Sequence, residues 1–348
     1  MEFIHSNLPP MKVPKCKTFY EKFNDLAGLS SELDIAVGYI TADSLVSIQD
    51  IMQKNDSLKK LNLTIGMHYW EKFTRPEYEA AITLNNNLRD SNRGEVRVVT
   101  AFKYHGKLYS YCNNNGPFAG IIGSNNLSSI VKGHSVYESS LLVDDPRVAE
   151  EMNQFIKSLS AKAARNIADL EIEKFREVNP VLEGVDRVKR IGTGEEKAPD
   201  VEYYFEIPIK PSEDAPKSNI NAFFGKGRMN KRGFVLPRPW YEVELIVPEN
   251  ITTQPGYPGN GAEKEFTVFT DDGWSFVCNV NGDYNKNFRS KYDLEILGKW
   301  LKGRLEAFGA LKPGERVTRE TLKKYGRDNF TLAKIKDCDK WYLDFGVK

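Results

Sequence analysis

The feature that most constrains this chain is a change of rhythm. Over roughly the first half, short apolar runs alternate with segments of helical period; later the runs follow one another with only turns between them. Strand–helix alternation and a closely spaced strand series build different layers, so two domains are expected. The length of 348 residues suits two domains of about 150 residues each.

In the first part, residues 34–40 predict a buried strand, and Thr41 caps a helix with Leu45, Val46, Ile48, Ile51 and Met52 on one face. Strands are predicted at 61–67 and 95–101, with a helix at 75–89 between them. Closely spaced strands follow at 107–111, 119–123 and 136–143, the first two joined by the turn Cys112-Asn113-Asn114-Asn115-Gly116-Pro117. A long helix over 146–174 carries Val148, Met152, Phe155, Ile156 and Leu159 on one face. Residues 176–220 contain Gly192, Gly194, Pro199, Pro208, Pro211 and Pro216 among charges, and read as a linker region with one short strand at 201–209. Strands at 241–247, 265–270, 275–280 and 341–347, interrupted by an amphipathic helix at 291–308, predict a small barrel. The expected division is an α/β domain over 1–175, with a mixed sheet flanked by helices, a linker over 176–220, and a mainly β domain over 221–348.

Composition narrows the classes. Hydrophobic residues at 40% and charged residues at 28% are ordinary for a soluble globular protein. No run of eighteen apolar residues predicts a membrane span, and the first ten residues lack the basic and apolar regions of a signal peptide. The cysteines Cys16, Cys112, Cys278 and Cys338 form no C-x-x-C pair, so neither a zinc site nor a disulfide framework is indicated and a cytoplasmic location is expected. Net charge is only +1, but residues 221–241 hold Lys226, Arg228, Lys231, Arg232 and Arg238 with no acidic side chain. Such a patch can engage a polyanion without the whole protein being basic.

The chemistry concentrates in His105-Gly106-Lys107. An H-x-K tripeptide is weak evidence alone, and read alone His105 is a surface strand residue. The next apolar strand, however, closes on Gly123-Ser124-Asn125-Asn126, and Glu138 falls in the strand after it. Three adjacent strands would bring an imidazole, an ammonium, an amide and a carboxylate to one end of a sheet. A phosphodiester under attack becomes a crowded, highly charged phosphorus centre, which cationic and amide donors stabilise. Imidazole is a nucleophile that is neutral near pH 7.

This set resembles the phospholipase D superfamily, whose signature is H-x-K followed by G-S-x-N and a downstream carboxylate. The matching positions are His105, Lys107, Gly123, Ser124 and Asn126, with Glu138 as the later acid. The resemblance implies hydrolysis by His105 without a metal ion or other cofactor, Lys107 and Asn126 serving as donors and Glu138 holding the imidazole tautomer. The family's aspartate after H-x-K would fall at Cys112, which leaves that role vacant; the gap to Gly-Ser is longer by four residues, which the turn at 113–117 absorbs. A superfamily site uses two histidines. Of the four in this chain, His5, His68 and His134 begin no H-x-K, so each chain carries half a site. A twofold homodimer through the N-terminal domain, with both His105 rings facing across the axis, is the expected solution.

The β part adds two polar, basic segments. Residues 221–233 include Lys226, Arg228, Asn230, Lys231 and Arg232; residues 281–291 include Asn285, Lys286, Asn287, Arg289, Ser290 and Lys291. A charge run is most often a solvated loop, but two such arms on one barrel suit a duplex, arginine and asparagine reading base edges and lysine holding phosphate. A single-motif phospholipase-D-type domain followed by such a barrel looks like restriction endonucleases of the NgoFVII and BfiI kind, whose C-terminal domains are similar to the DNA-binding pseudobarrel of plant transcription factors. That resemblance implies a type II restriction endonuclease acting on double-stranded DNA, with a cognate DNA methyltransferase as functional partner and a separate ATPase as a further candidate. Two rivals share some of the features. A phospholipid-acting phospholipase D or phosphatidyltransferase would use the same His105, Lys107 and Asn126, but with two motifs or a membrane-binding element. A non-catalytic DNA-binding regulator would need no intact catalytic set. Trp240, Trp274, Trp300 and Trp341 are expected in the core rather than on bases.

Overall fold

The computed structural model of the chain describes residues 1–131, 136–176, 181–191, 200–211, 219–222, 227–260 and 262–347. It separates into two compact units, Met1–Asn179 with Gly227–Pro237, and Pro180–Lys226 with Arg238–Lys348.

The first unit is an α/β layer structure. Its strands are β1 (Glu2–His5), β2 (Glu32–Val37), β3 (Lys60–Ile65), β4 (Gly94–Val99), β5 (Lys107–Asn113), β6 (Gly116–Gly123), β7 (Ser139–Val143) and β8 (Ala164–Asn166). They form one sheet in the order β1-β7-β6-β5-β2-β3-β4-β8. β2, β3 and β4 run parallel, because helices α2 (Ala42–Lys54), α3 (His68–Glu71) and α4 (Arg75–Asp90) carry the chain back between them. From β5 to β7 the strands are joined by antiparallel pairing. Helix α1 (Phe19–Ala27) shares a core with α2 and α4 on one face, through Phe23, Leu45, Ile48 and Leu84. Helix α5 (Pro146–Ala163) covers the other face with Met152, Ile156 and Leu159.

Local chemistry sets the helix starts. Thr18 with Glu21, and Thr74 with Glu77, form capping boxes, and Asp145 accepts the Val148 N–H ahead of Pro146. The long helix expected to 174 ends at Ala163, because Ala164–Asn166 leaves it to pair with β4, and Asn166 bonds to Asn85 and Glu95. The strand expected over 136–143 begins only at Ser139. Strand β1 and helix α1 were not foreseen.

The second unit is mainly β. It contains β9 (Lys189–Arg190), β10 (Val201–Pro208), β13 (Leu245–Ile246), β14 (Glu265–Thr270), β15 (Trp274–Asn281), β16 (Asn287–Ser290), β17 (Asn329–Ile335) and β18 (Lys340–Asp344), with helices α6 (Glu249–Thr252), α7 (Glu295–Ala307) and α8 (Arg319–Tyr325). The intervening β11 (Gly227–Met229) and β12 (Val235–Pro237) pair only with each other. The sheet order is β10-β17-β18-β14-β15-β16-β13, with β9 added on β15. Four steps separate β17 from β16, which in a flat sheet is roughly 19 Å. Yet Phe288 of β16 and Phe330 of β17 touch, their ring centroids 5.5 Å apart. The sheet therefore curls on itself around Phe266, Phe288, Trp300, Phe330 and Trp341, leaving β10 and β13 as its ends. All four tryptophans named above are buried.

Candidate active site

The antiparallel run β5–β6–β7 places the expected residues. Leu108 of β5 faces Ile122 of β6, so one step further Lys107 lies level with Gly123. Gly123 is required there: a Cβ would lie 2.2 Å from Ser140 Oγ and 2.4 Å from the Ser139 carbonyl. The residues after it then divide their work. Ser124 stitches β6 to β7, its N–H donating to the Ser139 carbonyl at 2.9 Å and its hydroxyl accepting the Ser139 N–H at 3.0 Å. Asn125 turns inward, accepting from Ser140 Oγ at 2.6 Å while its carbonyl takes the buried Tyr109 hydroxyl at 3.0 Å. Asn126 turns the other way, and its Oδ1 accepts the Tyr39 backbone N–H at 3.0 Å. With the oxygen held, the Asn126 Nδ2 remains as the donor.

His105 is exposed just ahead of β5, while Lys107 is buried. The Lys107 ammonium donates to the His105 carbonyl at 2.8 Å and stands 3.1 Å from His105 Nε2. Burial pushes the Lys107 pKa below the usual lysine range, and the Glu138 carboxylate opposes that shift. The ring edge of Tyr39 meets His105 at a centroid distance of 5.5 Å, and the Tyr39 hydroxyl donates to Glu71 at 2.6 Å.

Glu138 differs from expectation. It precedes β7 rather than lying within it, and among the described residues its carboxylate makes no hydrogen bond to the His105 ring. β7 is two strands from β5, roughly 10 Å across the sheet. Its charge acts on Lys107. Its backbone is fixed by Ser6, whose N–H donates to the Glu138 carbonyl at 3.0 Å and whose hydroxyl accepts the Glu138 N–H at 2.7 Å. A cleft of about 390 Å³ beside it is lined by Ser6, Phe19, Asn125, Ser128 and Val131. A larger cleft, about 910 Å³, belongs to the second unit and contains none of these residues.

The position left vacant by Cys112 has a carboxylate nearby from another strand. Asp34 of β2 is 1% exposed and accepts from Asn62 and Asn153, each at 2.7 Å; the same Asn153 amide reaches Ser110 Oγ at 3.0 Å and Cys112 Sγ at 3.4 Å. Burial raises the Asp34 pKa, partly offset by the Asn62 bond. Aspartate in the apolar run Leu33-Asp34-Ile35-Ala36-Val37 was the available signal. Tyr39 and Ser6 gave none. Among the described residues no group of histidines, cysteines and carboxylates is built to hold a metal ion.

The two basic segments part company. Lys226 lies outside the described residues. Arg228, Asn230, Lys231 and Arg232 belong to the β11–β12 hairpin, which sits on the first unit, not in the barrel to which the sequence assigned it. The hairpin is anchored by Phe234, which is 3% exposed in the first unit's core, and by Asn55 of α2. Asn55 pairs with Val235 as a strand would, accepting its N–H at 2.6 Å and donating to its carbonyl at 2.9 Å. Asn230 is used inside the turn, accepting from the Arg232 and Phe234 N–H groups. Arg228, Lys231 and Arg232 are exposed. In the second segment Asn285, Lys286 and Asn287 lie at the β15–β16 turn, with Lys286 3.4 Å from Asp283. Arg289 is tied to Glu244 at 3.0 Å and Lys291 to Glu265. Ser290 is fully buried and caps the entry to α7, accepting the Leu297 N–H at 3.1 Å.

A mixed sheet that converges His105, Lys107 and Asn126, joined to a curled β unit, defines a phospholipase-D-like phosphodiesterase domain carrying a second, recognition domain. Residues 17–172 match the family model described as NgoFVII restriction endonuclease N-terminal PLD domain, and residues 196–336 match the one described as NgoFVII C-terminal B3-like DNA-binding domain. The chain belongs to the NgoFVII restriction endonuclease family: it is a phosphodiesterase of the endonuclease type, a hydrolase whose second domain binds duplex DNA. Among solved structures it is similar to a phospholipase D family member, Nuc, from Salmonella typhimurium (15% identity, TM-score 0.29, 47% of this chain and 95% of that one). It is similar as well to NucT from Helicobacter pylori (16%, 0.30, 47% and 99%). Similarity to a polyphosphate kinase from Porphyromonas gingivalis (14%, 0.34) covers 50% of this chain but only 27% of that one. No curated protein matches the chain. No helix among the described residues is long and apolar enough to cross a membrane.

Proposed function

We propose that the chain is a type II restriction endonuclease whose second domain recognises a short duplex sequence and whose first hydrolyses a DNA phosphodiester through a phosphohistidine, without a metal ion. The observation that carries this reading is the 3.1 Å approach of Lys107 Nζ to His105 Nε2, beside an Asn126 amide whose oxygen is already engaged. Nε2 faces an ammonium donor, so it is the ring nitrogen that carries the lone pair. A phosphate entering there takes Lys107 and the Asn126 Nδ2 as donors to its non-bridging oxygens, the part a metal ion plays elsewhere. Nε2 attacks phosphorus, the bond to the leaving oxygen breaks, and that oxygen takes a proton from a second imidazole. Water then attacks the phosphohistidine, gives its proton to the same second imidazole, and frees Nε2. Glu138, through its field, favours the ammonium form of Lys107 against the burial that disfavours it.

The second imidazole is His105 of a second copy, because each chain contributes one H-x-K. An exposed apolar row supports a twofold contact through the first unit. Phe3, Leu141 and Ile122 face one another across β1, β7 and β6, with exposures of 65%, 36% and 46%, one residue inside the site's end of the sheet. The basic hairpin on the first unit holds phosphate with Arg228, Lys231 and Arg232, and the β15–β16 turn reads the duplex with Asn285, Asn287 and Arg289. A cognate DNA methyltransferase, and a separate ATPase, are the functional partners of this reading. The cysteines are all free, which suits a cytoplasmic enzyme.

Plasmid digestion in chelator, with sequencing of the fragment ends, tests the whole scheme. Cutting at one recurring site that survives chelation, and that His105→Ala abolishes while leaving DNA affinity unchanged, is the expected result. Nicking by His105→Ala in chelator removes the nucleophile assignment. Release of label from phosphatidylcholine liposomes and not from DNA would favour the phospholipid reading, and duplex binding without cutting the regulator reading.

A further inference from the structure

The loop after β2, Gly38-Tyr39-Ile40, touches both halves of the catalytic set. Tyr39 gives its N–H to Asn126 and its ring edge to His105. Gly38 lies so close that a Cβ there would be 3.0 Å from His105 Cδ2. The next N–H along, that of Ile40, is accepted by Nε2 of His68 at 3.1 Å in a buried bond. His68 opens α3 and is 2% exposed, stacked on Phe73 at 4.6 Å with Tyr39 edge-on at 5.7 Å. An imidazole nitrogen accepts only when it is unprotonated, so this bond requires a neutral ring with its proton on Nδ1. Nδ1 stands 3.8 Å from Glu77 Oε2. Burial holds His68 below the usual histidine range. The charged groups that face it are Glu77 of α4 and Glu71 of its own helix, which oppose the shift, and Arg176, which reinforces it. Glu77 is itself fixed by Thr74 and Arg176.

We propose that His68 is a positioning residue for phosphodiester hydrolysis: by accepting the Ile40 N–H it fixes the peptide that follows Tyr39, and so holds the Tyr39 residue whose own N–H aims the Asn126 amide and whose ring braces His105. The inference rests on the reading of His105 and Asn126 as catalytic. His68 touches no substrate; it fixes the group that fixes the donor. A glutamine at 68 can place an amide oxygen where Nε2 stands, whereas asparagine is too short and leucine has no acceptor.

The test compares full-length His68→Gln, His68→Asn and His68→Leu with His105→Ala and Asn126→Ala. Single-turnover cleavage of plasmid at saturating enzyme is measured, alongside DNA affinity and thermal midpoint. His68→Asn and His68→Leu are expected to slow cleavage roughly 10–100-fold, as loss of a supporting hydrogen bond behind a functional group commonly does, with DNA affinity within about twofold. His68→Gln is expected to recover most of the rate. In the Asn126→Ala background, His68→Asn is expected to cost little more, because the route through Asn126 is already gone. Wild-type rates in a folded His68→Asn or His68→Leu protein would overturn the inference. So would a folded His68→Gln protein as slow as His68→Asn, or full additivity with Asn126→Ala. If His105→Ala itself cleaves, it is the catalytic reading that fails, and the two failures are told apart by that control.

Discussion

Replacing Phe234 by alanine should undock the basic hairpin from the catalytic unit. The ring is 3% exposed and packs against the end of α1, where a Cβ on Gly28 would lie 3.3 Å from Phe234 Cγ. Truncating a buried phenylalanine costs about 3–5 kcal/mol in a well-packed core. The anchors left behind are the two Asn55–Val235 bonds, each contributing about 1 kcal/mol, and a half-buried Leu236. A loss of about 3 kcal/mol raises the undocked population by roughly two decades, at 1.4 kcal/mol per tenfold. Trypsin reads this directly. Arg228, Lys231 and Arg232 are exposed, yet they are held in a paired hairpin that must open before the protease can bind it. When reclosing is fast, cleavage follows the open population. Cleavage at these three residues is expected to accelerate about 100-fold, while other tryptic sites keep their rates. An unchanged rate at these residues would refute the anchoring role, and an equal acceleration at every site would show global rather than local opening.

Three further outcomes are expected. Lys107→Met should lower the cleavage rate about 10²–10³-fold, the usual effect of removing one donor from a charged transition state, while equilibrium DNA binding changes little; retention of full activity would discard Lys107 as that donor. Arg289→Ala should weaken discrimination between specific and random duplex by about 1–3 kcal/mol if the side chain leaves Glu244 to read a base; equal losses on both duplexes, measured by competition binding, would make it a phosphate contact. Lys302, fully buried in α7, has its pKa pushed down to about 7 by burial, so between pH 7 and its ordinary 10.5 the folded state binds fewer protons than the unfolded one. Stability of the second unit should therefore rise with pH across that window, and Lys302→Met should flatten the rise in a urea titration followed by tryptophan fluorescence.

The legible part of the site was the part built from neighbours in sequence. β5, β6 and β7 are consecutive and antiparallel, so the spacing from His105 to Asn126 already fixed which strand ends meet. Glu138 lies just ahead of β7 rather than inside it, because the ends of a strand are the least sharply encoded part of an apolar run. Asp34 beside Cys112 was missed because it arrives through β2, an insertion into the sheet order that no local pattern encodes. The docking of the hairpin was not legible because its charge and glycines describe an arm equally well wherever it packs; contacts that group it with the first unit, such as Asn55–Val235, span 180 residues of chain.

From the sequence alone came the two-domain plan, the starts of α2, α4 and α5, the grouping of His105, Lys107 and Asn126 and the recognition domain, because each rests on periodicity, capping or a short motif, all of which act within a few residues. Tertiary structure alone decided what orients that trio and to which unit the basic hairpin belongs. Those outcomes depend on single hydrogen bonds and buried rings between distant segments, and a bond such as Ile40 to His68 exists only once the sheet has brought both ends together.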